Sequence, residues 1–347
     1  MKKALIALAV LGLTGGAAVA QSSVTLFGVI DADMKYVKTG DLKLKKLDSS
    51  GLSTSRFGVK GVEDLGGGLK AGFWLESEVA TDTGAGGSTV NGSNAFWGRR
   101  STVSLMGEFG EIRLGRYKTA TRLHIEDFDP YSGTGLGDVT KVIADKTALG
   151  TLSGTQSGTF TRASNMVSYE TPKDLGGFYG AADVAAGEGD GSNKMQDIRL
   201  GYKEGPVHVS AAFSSNGTGT KYKVSSIAGS YDFSGIKPAL MYTTTEAGDA
   251  KIKAVTAALT WSLGQGQLQT SFTNSSANTA AQAIVGGDAK LFAIGYIYSL
   301  SKRTSLYTTF AQIDNKDGAK YTLGGAPAAT AGGQKSSGFD VGIRHSF

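Results

Sequence analysis

The sequence predicts an all-β protein, a 16-stranded antiparallel transmembrane β-barrel, and three observations carry that prediction. The last stretch, SGFDVGIRHSF, puts Phe339, Val341, Ile343, His345 and Phe347 on one side of an extended strand. Gly338, Asp340, Gly342, Arg344 and Ser346 fall on the other. The same period of two recurs along the chain at roughly 20 residues per strand plus connection, the spacing of outer-membrane barrels. The connections alternate between short turns and long loops, an asymmetry that a barrel with two different rims shows and a soluble sandwich does not need.

The first element is an export signal over residues 1–20. Lys2 and Lys3 precede an apolar run from Ala4 to Leu13, and small residues lead to Ala18-Val19-Ala20. The run is too short to anchor the chain as a helix, and no other apolar run reaches spanning length. Cleavage leaves a barrel domain over 21–347. Without Lys2 and Lys3 the chain carries 33 basic against 30 acidic residues, too balanced for a nucleic-acid partner. Gly is abundant at 51, and Cys is absent. An exported chain without disulfides needs another stabilising device, and closing a hydrogen-bonded sheet is one. The mean hydropathy of −0.10 fits a barrel, because half of each strand faces water.

The strands then follow in order. In Val24–Val37, Leu26, Ile30, Ala32, Met34 and Tyr36 share one face, with Thr25, Asp31, Asp33 and Lys35 on the other. In Ser53–Glu63, Phe57 and Val59 oppose Arg56 and Lys60; in Leu69–Val79, Phe73 and Leu75 oppose Lys70, Glu76 and Glu78. Further alternating segments are Phe96–Met106, Glu111–Arg116, Arg162–Thr171, Phe178–Ala185, Gln196–Lys203, Val207–Ser215, Tyr222–Asp232, Ile236–Thr245, Lys251–Leu263, Gln267–Asn274, Ala289–Leu300 and Ser305–Ile313. With the terminal strand they make 16, the even number that puts both ends of a closed barrel on one rim. No helix-period stretch is expected after the signal.

Short turns are expected at 64–68, 107–110, 174–177, 264–266 and 301–304, and long polar loops at 81–95, 186–195, 275–288 and 314–336. Tyr296, Tyr298, Tyr307, Trp261, Phe339 and Phe347 near strand ends suit interfacial girdles. One connection, about 117–161, runs more than forty residues without alternation and holds Arg122, His124, Glu126, Asp127, Asp129 and Lys141. Loops of that length in a compact domain are usually functional or disordered. On the residues alone a barrel enzyme, a surface adhesin with a blocked lumen and a secreted soluble β protein remain open. Against chemistry, His124, His208 and His345 are scattered, and no HExxH, serine elbow or metal-ligand cluster accompanies them, so no cofactor is expected.

The stretches SSVTLFGVIDADMKYV, SRFGVKGVEDLGGGLKAGFWLESE, GEFGEIRLGRYKT, RASNMVSYETP, YIYSLSKRTSLY and GFDVGIRHSF, in this order, resemble the trimeric 16-stranded general diffusion porins of β-proteobacterial outer membranes. The resemblance implies a homotrimer among outer-membrane lipid and lipopolysaccharide, delivered by the barrel assembly machinery. It also implies a third long loop folded into the lumen and passive diffusion of ions and small hydrophilic solutes. The positions matching the family's constriction wall are Arg56, Arg99 and Arg162, with Lys60 nearby. Alternation favours Arg100 over Arg99, because Arg99 shares parity with Val103 and Leu105. Glu126, Asp127 and Asp129 resemble the acidic segment of the third loop, and Phe347 matches the family's C-terminal assembly signal. Guanidinium groups stay charged at any working pH, so the expectation is a preference for small anions.

Overall fold

β1 (Ser23–Thr39) is the strand on which the ring closes, because both ends of the sheet meet there. One edge of β1 pairs antiparallel with β19 (Ser336–Ser346) from Val29↔Ser346 to Thr39↔Ser336, and Gly28 and Phe347 exchange backbone hydrogen bonds at the end of that ladder. Its other edge pairs with β2 (Leu42–Ser49) in its second half and with β3 (Arg56–Gly66) in its first. This computed structural model describes residues 23–90, 93–144, 148–152, 161–189, 191 and 194–347. The expected signal at 1–20 lies outside the described residues.

From β3 the sheet runs through β4 (Leu69–Glu78), β7 (Arg100–Gly107), β8 (Gly110–Lys118), β9 (Arg162–Glu170) and β10 (Phe178–Ala185). It continues through β11 (Met195–Glu204), β12 (Val207–Asn216), β13 (Tyr222–Tyr231), β14 (Ile236–Ala247) and β15 (Ala250–Leu263). β16 (Gly266–Ala277), β17 (Ala289–Ser299) and β18 (Thr304–Asn315) complete it, and every neighbouring pair is antiparallel. Hydrogen bonding defines a sheet of 17 strands. β2 and β3 pair with successive halves of β1, so they are one wall strand interrupted at 50–55, and the barrel has 16 staves. A small hairpin of β5 (Ser88–Val90) and β6 (Ser93–Ala95) stands apart in the second loop.

Alternation holds on the wall. Leu26, Ile30, Met34 and Tyr36 of β1 are exposed, while Asp31, Asp33 and Lys35 are buried; on β19 Phe339, Val341 and Ile343 are exposed and Asp340 is buried. Apolar outward rows are what a surface meeting lipid needs, and a closed ladder is what hydrocarbon requires of the backbone. Among the girdle aromatics Tyr296, Tyr298, Trp261, Phe339 and Phe347 are exposed, but Tyr307 is not. Its odd position on β18 turns it inward, where its hydroxyl donates to Asp31.

The expectation of no helix after the signal is wrong. α1 (Ala120–Phe128), α2 (Thr140–Ile143) and α3 (Ala148–Leu152) lie in the long connection between β8 and β9, and α4 (Thr279–Val285) lies between β16 and β17. α1 is capped by Thr119, whose side chain accepts from the Arg122 amide, and its buried face mixes Ala120, Arg122 and His124 with Ile125 and Phe128. That mixture hides the period of 3.6. α4 has plainer signals, Asn278 as N-cap and Gly286 in the left-handed conformation after its last turn.

These segments cover part of the inner wall. Ile125, Phe128, Leu136, Val139, Val142 and Ile143 pack with inward-facing Val224, Met241, Ile252, Leu291 and Ile313 in one apolar cluster, which also takes in Tyr321 and Leu323 of the last loop. Thr121 donates to Asp197, Tyr131 to the Gln269 carbonyl and Thr245 to the Ile143 carbonyl, tying the connection to β11, β16 and β14.

Arginine placed at outward Leu259 or Ile294 is expected to lower stability by about 2–4 kcal/mol in lipid bilayers, whereas Gln267→Arg, whose side chain borders the water-filled interior, should cost under about 1 kcal/mol. Denaturant titration of the three variants reinserted in lipid checks this, and equal losses would contradict the assignment of faces. Thr243 also points inward, but it is buried with its hydroxyl 3.0 Å from Ser226 Oγ, so it is not a neutral control.

Candidate functional site

A cavity of ≈ 870 Å³ remains on the side of the barrel that the loop cluster does not fill. Its charged wall is built from β3, β4, β7, β8 and β9, whose inward parity collects charge, while β16 to β19 border it through Gln267, Gln269, Ser299, Ser305 and Arg344. Glu76 Oε1 accepts from Arg99 Nε at 2.7 Å and lies 3.7 Å from Arg56 Nε, while Glu78 stands 3.5 Å from Arg99. Arg56 also donates to the Thr54 carbonyl at 2.7 Å, and Arg162 donates to the Arg99 carbonyl at 3.0 Å. One carboxylate thus organises two guanidinium groups, and a backbone carbonyl positions the third. Charge-assisted hydrogen bonds of this kind fix side-chain direction strongly.

Arg99 and Arg100 both border this cavity. Arg100 does so by alternation, as the first residue of β7 opposite Glu76. Arg99 precedes the ladder, so the pleat does not dictate its direction and its ion pairs with Glu76 and Glu78 do. A second departure from alternation brings Tyr117 and Lys118 to the cavity together. The β8–β9 register shifts between Gly115 and Tyr117. Gly115 has φ +124°, and a Cβ there would stand 2.1 Å from the Ser101 carbonyl oxygen, so only glycine fits the bulge.

The long connection supplies the facing side, and its three acidic candidates separate. Glu126 borders the cavity and is paired with Lys118 and with Arg122 at 2.7 Å. Burial pushes its carboxyl up, but Lys118 and Arg122 outweigh that and hold it below the ordinary carboxylate range, so it stays an anion. Asp127 turns away and pairs with Arg199 of β11 at 2.9 Å. Asp129 is buried beneath the turn it forms, accepting from the Tyr131 and Gly133 amides at 3.0 and 2.8 Å. Burial and the nearby Asp138 push it up to about 7, against those two amides. The expected trio therefore reduces to one carboxylate at the cavity.

Lys60 stands apart from the arginines. It borders a separate hollow on the same inner face, stacked on Trp74 and Phe27. Arg344, missing from the expected set, borders the main cavity and reaches the Ser53 hydroxyl at 3.4 Å. Its signal was present, since it shares the polar face of the last strand with Asp340. Altogether seven cations, Arg56, Arg99, Arg100, Lys118, Arg122, Arg162 and Arg344, border the cavity against the four carboxylates Glu76, Glu78, Glu126 and Asp138.

The histidines do other work. His124 is buried between the hydroxyls of Ser210 and Ser226, each at 2.9 Å, and burial pushes it down to about 3, so it is neutral. His208 meets the Tyr179 hydroxyl at 2.8 Å, and His345 meets Thr304 on the outer face. Among the described residues no group of His, Cys, Asp and Glu is arranged to hold a metal ion.

The family profile of Gram-negative porins matches residues 7–318. Outer membrane porin protein 32 of Delftia acidovorans is 36% identical over the full length of both chains, and an outer membrane porin protein of Bordetella pertussis is 28% identical, again over both full lengths. The solved structure of an anion-selective porin from Comamonas acidovorans superposes with a TM-score of 0.81 at 32% identity, covering 94% of this chain and 100% of that one. OmpT of Vibrio cholerae in its trimer form shares the fold at a TM-score of 0.68 and 17% identity, covering 94% and 99%. A barrel of 16 staves with a charged interior, matched along its whole length by outer-membrane channels, leaves one assignment: the chain belongs to the Gram-negative porin family.

Proposed function

We propose that this porin is an anion-preferring diffusion channel whose narrowest part lies between the arginine wall and the connection at about 117–161. The observation that carries the reading is the charge around the cavity, seven cations against four carboxylates. In a lumen with low-dielectric walls that excess is focused, and it raises the local concentration of chloride and of small anionic solutes. Arg56, Arg99, Arg100 and Arg162 form the wall of the constriction and Glu126 its loop side, with Arg344 added to the wall. Small polar solutes pass by diffusion, without a bound cofactor.

The finer assignments belong to the same reading. The chain is exported by a cleaved signal at 1–20 and folds into the outer membrane, with its short turns toward the periplasm and its long loops toward lipopolysaccharide and the outside. It works as a homotrimer. Phe347, whose backbone closes the ring onto Gly28, is the segment the assembly machinery reads.

Replacing Arg56 and Arg162 together with Ala is expected to shift the zero-current potential in a KCl gradient toward cations, and to lower the anion-to-cation permeability ratio several-fold, on the order of the field effects seen in charged clefts. A wild-type channel that already prefers potassium would sink the anion assignment. The preference should also weaken as salt rises, because the screening length falls from about 10 Å at 0.1 M to about 3 Å at 1 M.

Deleting Phe347 is expected to leave the exported chain aggregated or degraded in the periplasm, measured as loss of folded, heat-modifiable protein from outer-membrane fractions. Normal levels in the deletion would remove Phe347 from the assembly role.

A further inference from the structure

Between the main cavity and the short-turn rim, the inner wall carries Lys60 and Arg113, which the arginine cluster does not include, and Arg100, which the two regions share. Register places Lys60 opposite Trp74 on one side and Thr25 on the other, and strand parity turns Ser104 and Arg113 to the same face. They surround a hollow of ≈ 320 Å³. Trp74 and Arg100 border both this hollow and the main cavity, so they are the step from one to the other.

Aromatic rings hold these cations in place. Lys60 Nζ lies 4.7 Å from the Trp74 ring centre and 5.4 Å from that of Phe27. The Arg100 guanidinium lies 4.3 Å from Trp74 and 4.2 Å from Tyr117. Phe27 and Trp74 meet edge to face at 5.1 Å, and the absence of a side chain at Gly58 makes room, since a Cβ there would stand 2.5 Å from the Phe27 ring. An aromatic face stabilises a cation without cancelling its charge. Arg113 is different, because Glu111 and Glu170 each pair with it at 2.9 Å and more than offset its charge. Of the three cations at the hollow, only Lys60 and Arg100 therefore stand against the bordering Glu111. Arg100 donates to the Thr102 hydroxyl at 3.0 Å, and neither it nor Lys60 has a carboxylate in ion-pair contact among the described residues.

We propose that Lys60 and Arg100, mounted on the two sides of the Trp74 contact, form a second anion station between the cavity and the short-turn mouth, which takes small hydrated anions such as chloride or a short-chain carboxylate. The proposal rests on the anion-channel reading above and adds a direction to it. A cation near one mouth acts on the ions entering from that mouth, within a screening length of about 10 Å at 0.1 M salt. The arginine cluster, deeper in the lumen, acts on ions from either side.

The test uses the full-length protein inserted in one orientation in planar bilayers, with zero-current potentials read in a KCl gradient imposed in each direction. Lys60→Gln should lower the anion-to-cation permeability ratio about two-fold when the dilute solution bathes the short-turn mouth, and leave it at the wild-type value in the reverse gradient. Lys60→Arg, which keeps the charge, should match the wild type in both. No change with Lys60→Gln in either gradient, or an equal change in both, overturns the second station. Failure of the underlying reading looks different, since the wild-type channel would then prefer potassium in both gradients.

Discussion

Every other feature of this protein depends on the closure of the sheet at β1. In hydrocarbon each unmatched backbone amide or carbonyl costs several kcal/mol, of order 4–8 when nothing replaces water, so an open edge is intolerable. β1 answers this by serving two partners along its outer edge, β2 and β3 in succession, while β19 occupies the other. The interruption at 50–55 does not break the ring, because the inward carboxylate of Asp31 accepts the amides of Gly51, Leu52 and Ser53 that the missing ladder would have used. The same bend brings Leu52, Ser53 and Thr54 to the cavity and puts the Thr54 carbonyl where Arg56 donates to it. Closure and the shape of the pore wall are thus one piece of hydrogen bonding.

Once closed, the barrel divides its interior by chemistry. Part of the inner face of β13 to β18 carries small and apolar residues such as Val224, Met241, Ala254, Leu291 and Ile313, and the loop cluster covers that patch. Strands β3, β4, β7, β8 and β9 face inward with Arg56, Glu76, Arg100, Arg113 and Arg162, which no apolar cover would tolerate, and that side stays wet. The cavity is therefore bounded by this charged wall on one side and by Gln267, Gln269, Ser299 and Ser305 of β16 to β18 on another.

The wall was legible in the sequence because its rule is simple. A period of two runs through the staves between their bulges, and residues such as Ile30 and Asp31 sort to opposite faces by count alone. Departures came where a residue leaves the ladder. Arg99 lies one position before β7, so its ion pairs rather than its parity decide where it points. Tyr117 and Lys118 escape parity through the bulge at Gly115. The long connection was legible only as an exception: α1 packs Arg122 and His124 on its buried face beside Ile125 and Phe128, and that pattern resembles a polar loop until its partners, Glu126, Ser210 and Ser226, are known. For the same reason Glu126, Asp127 and Asp129, three near neighbours of one chemical type, could not be told apart by composition. Their fates follow from helical direction and from Arg199 on β11, the strand against which α1 packs.

Swinging the connection off the inner wall would bare Ile125, Phe128, Leu136, Val139, Val142 and Ile143 together with the apolar patch beneath them. At about 1.5–3 kcal/mol for each large side chain returned to water, that excursion lies far beyond thermal agitation during the passage of an ion. For the proposed constriction this makes the helical part of the connection a stiff jamb, whose place against the wall is set when the chain folds.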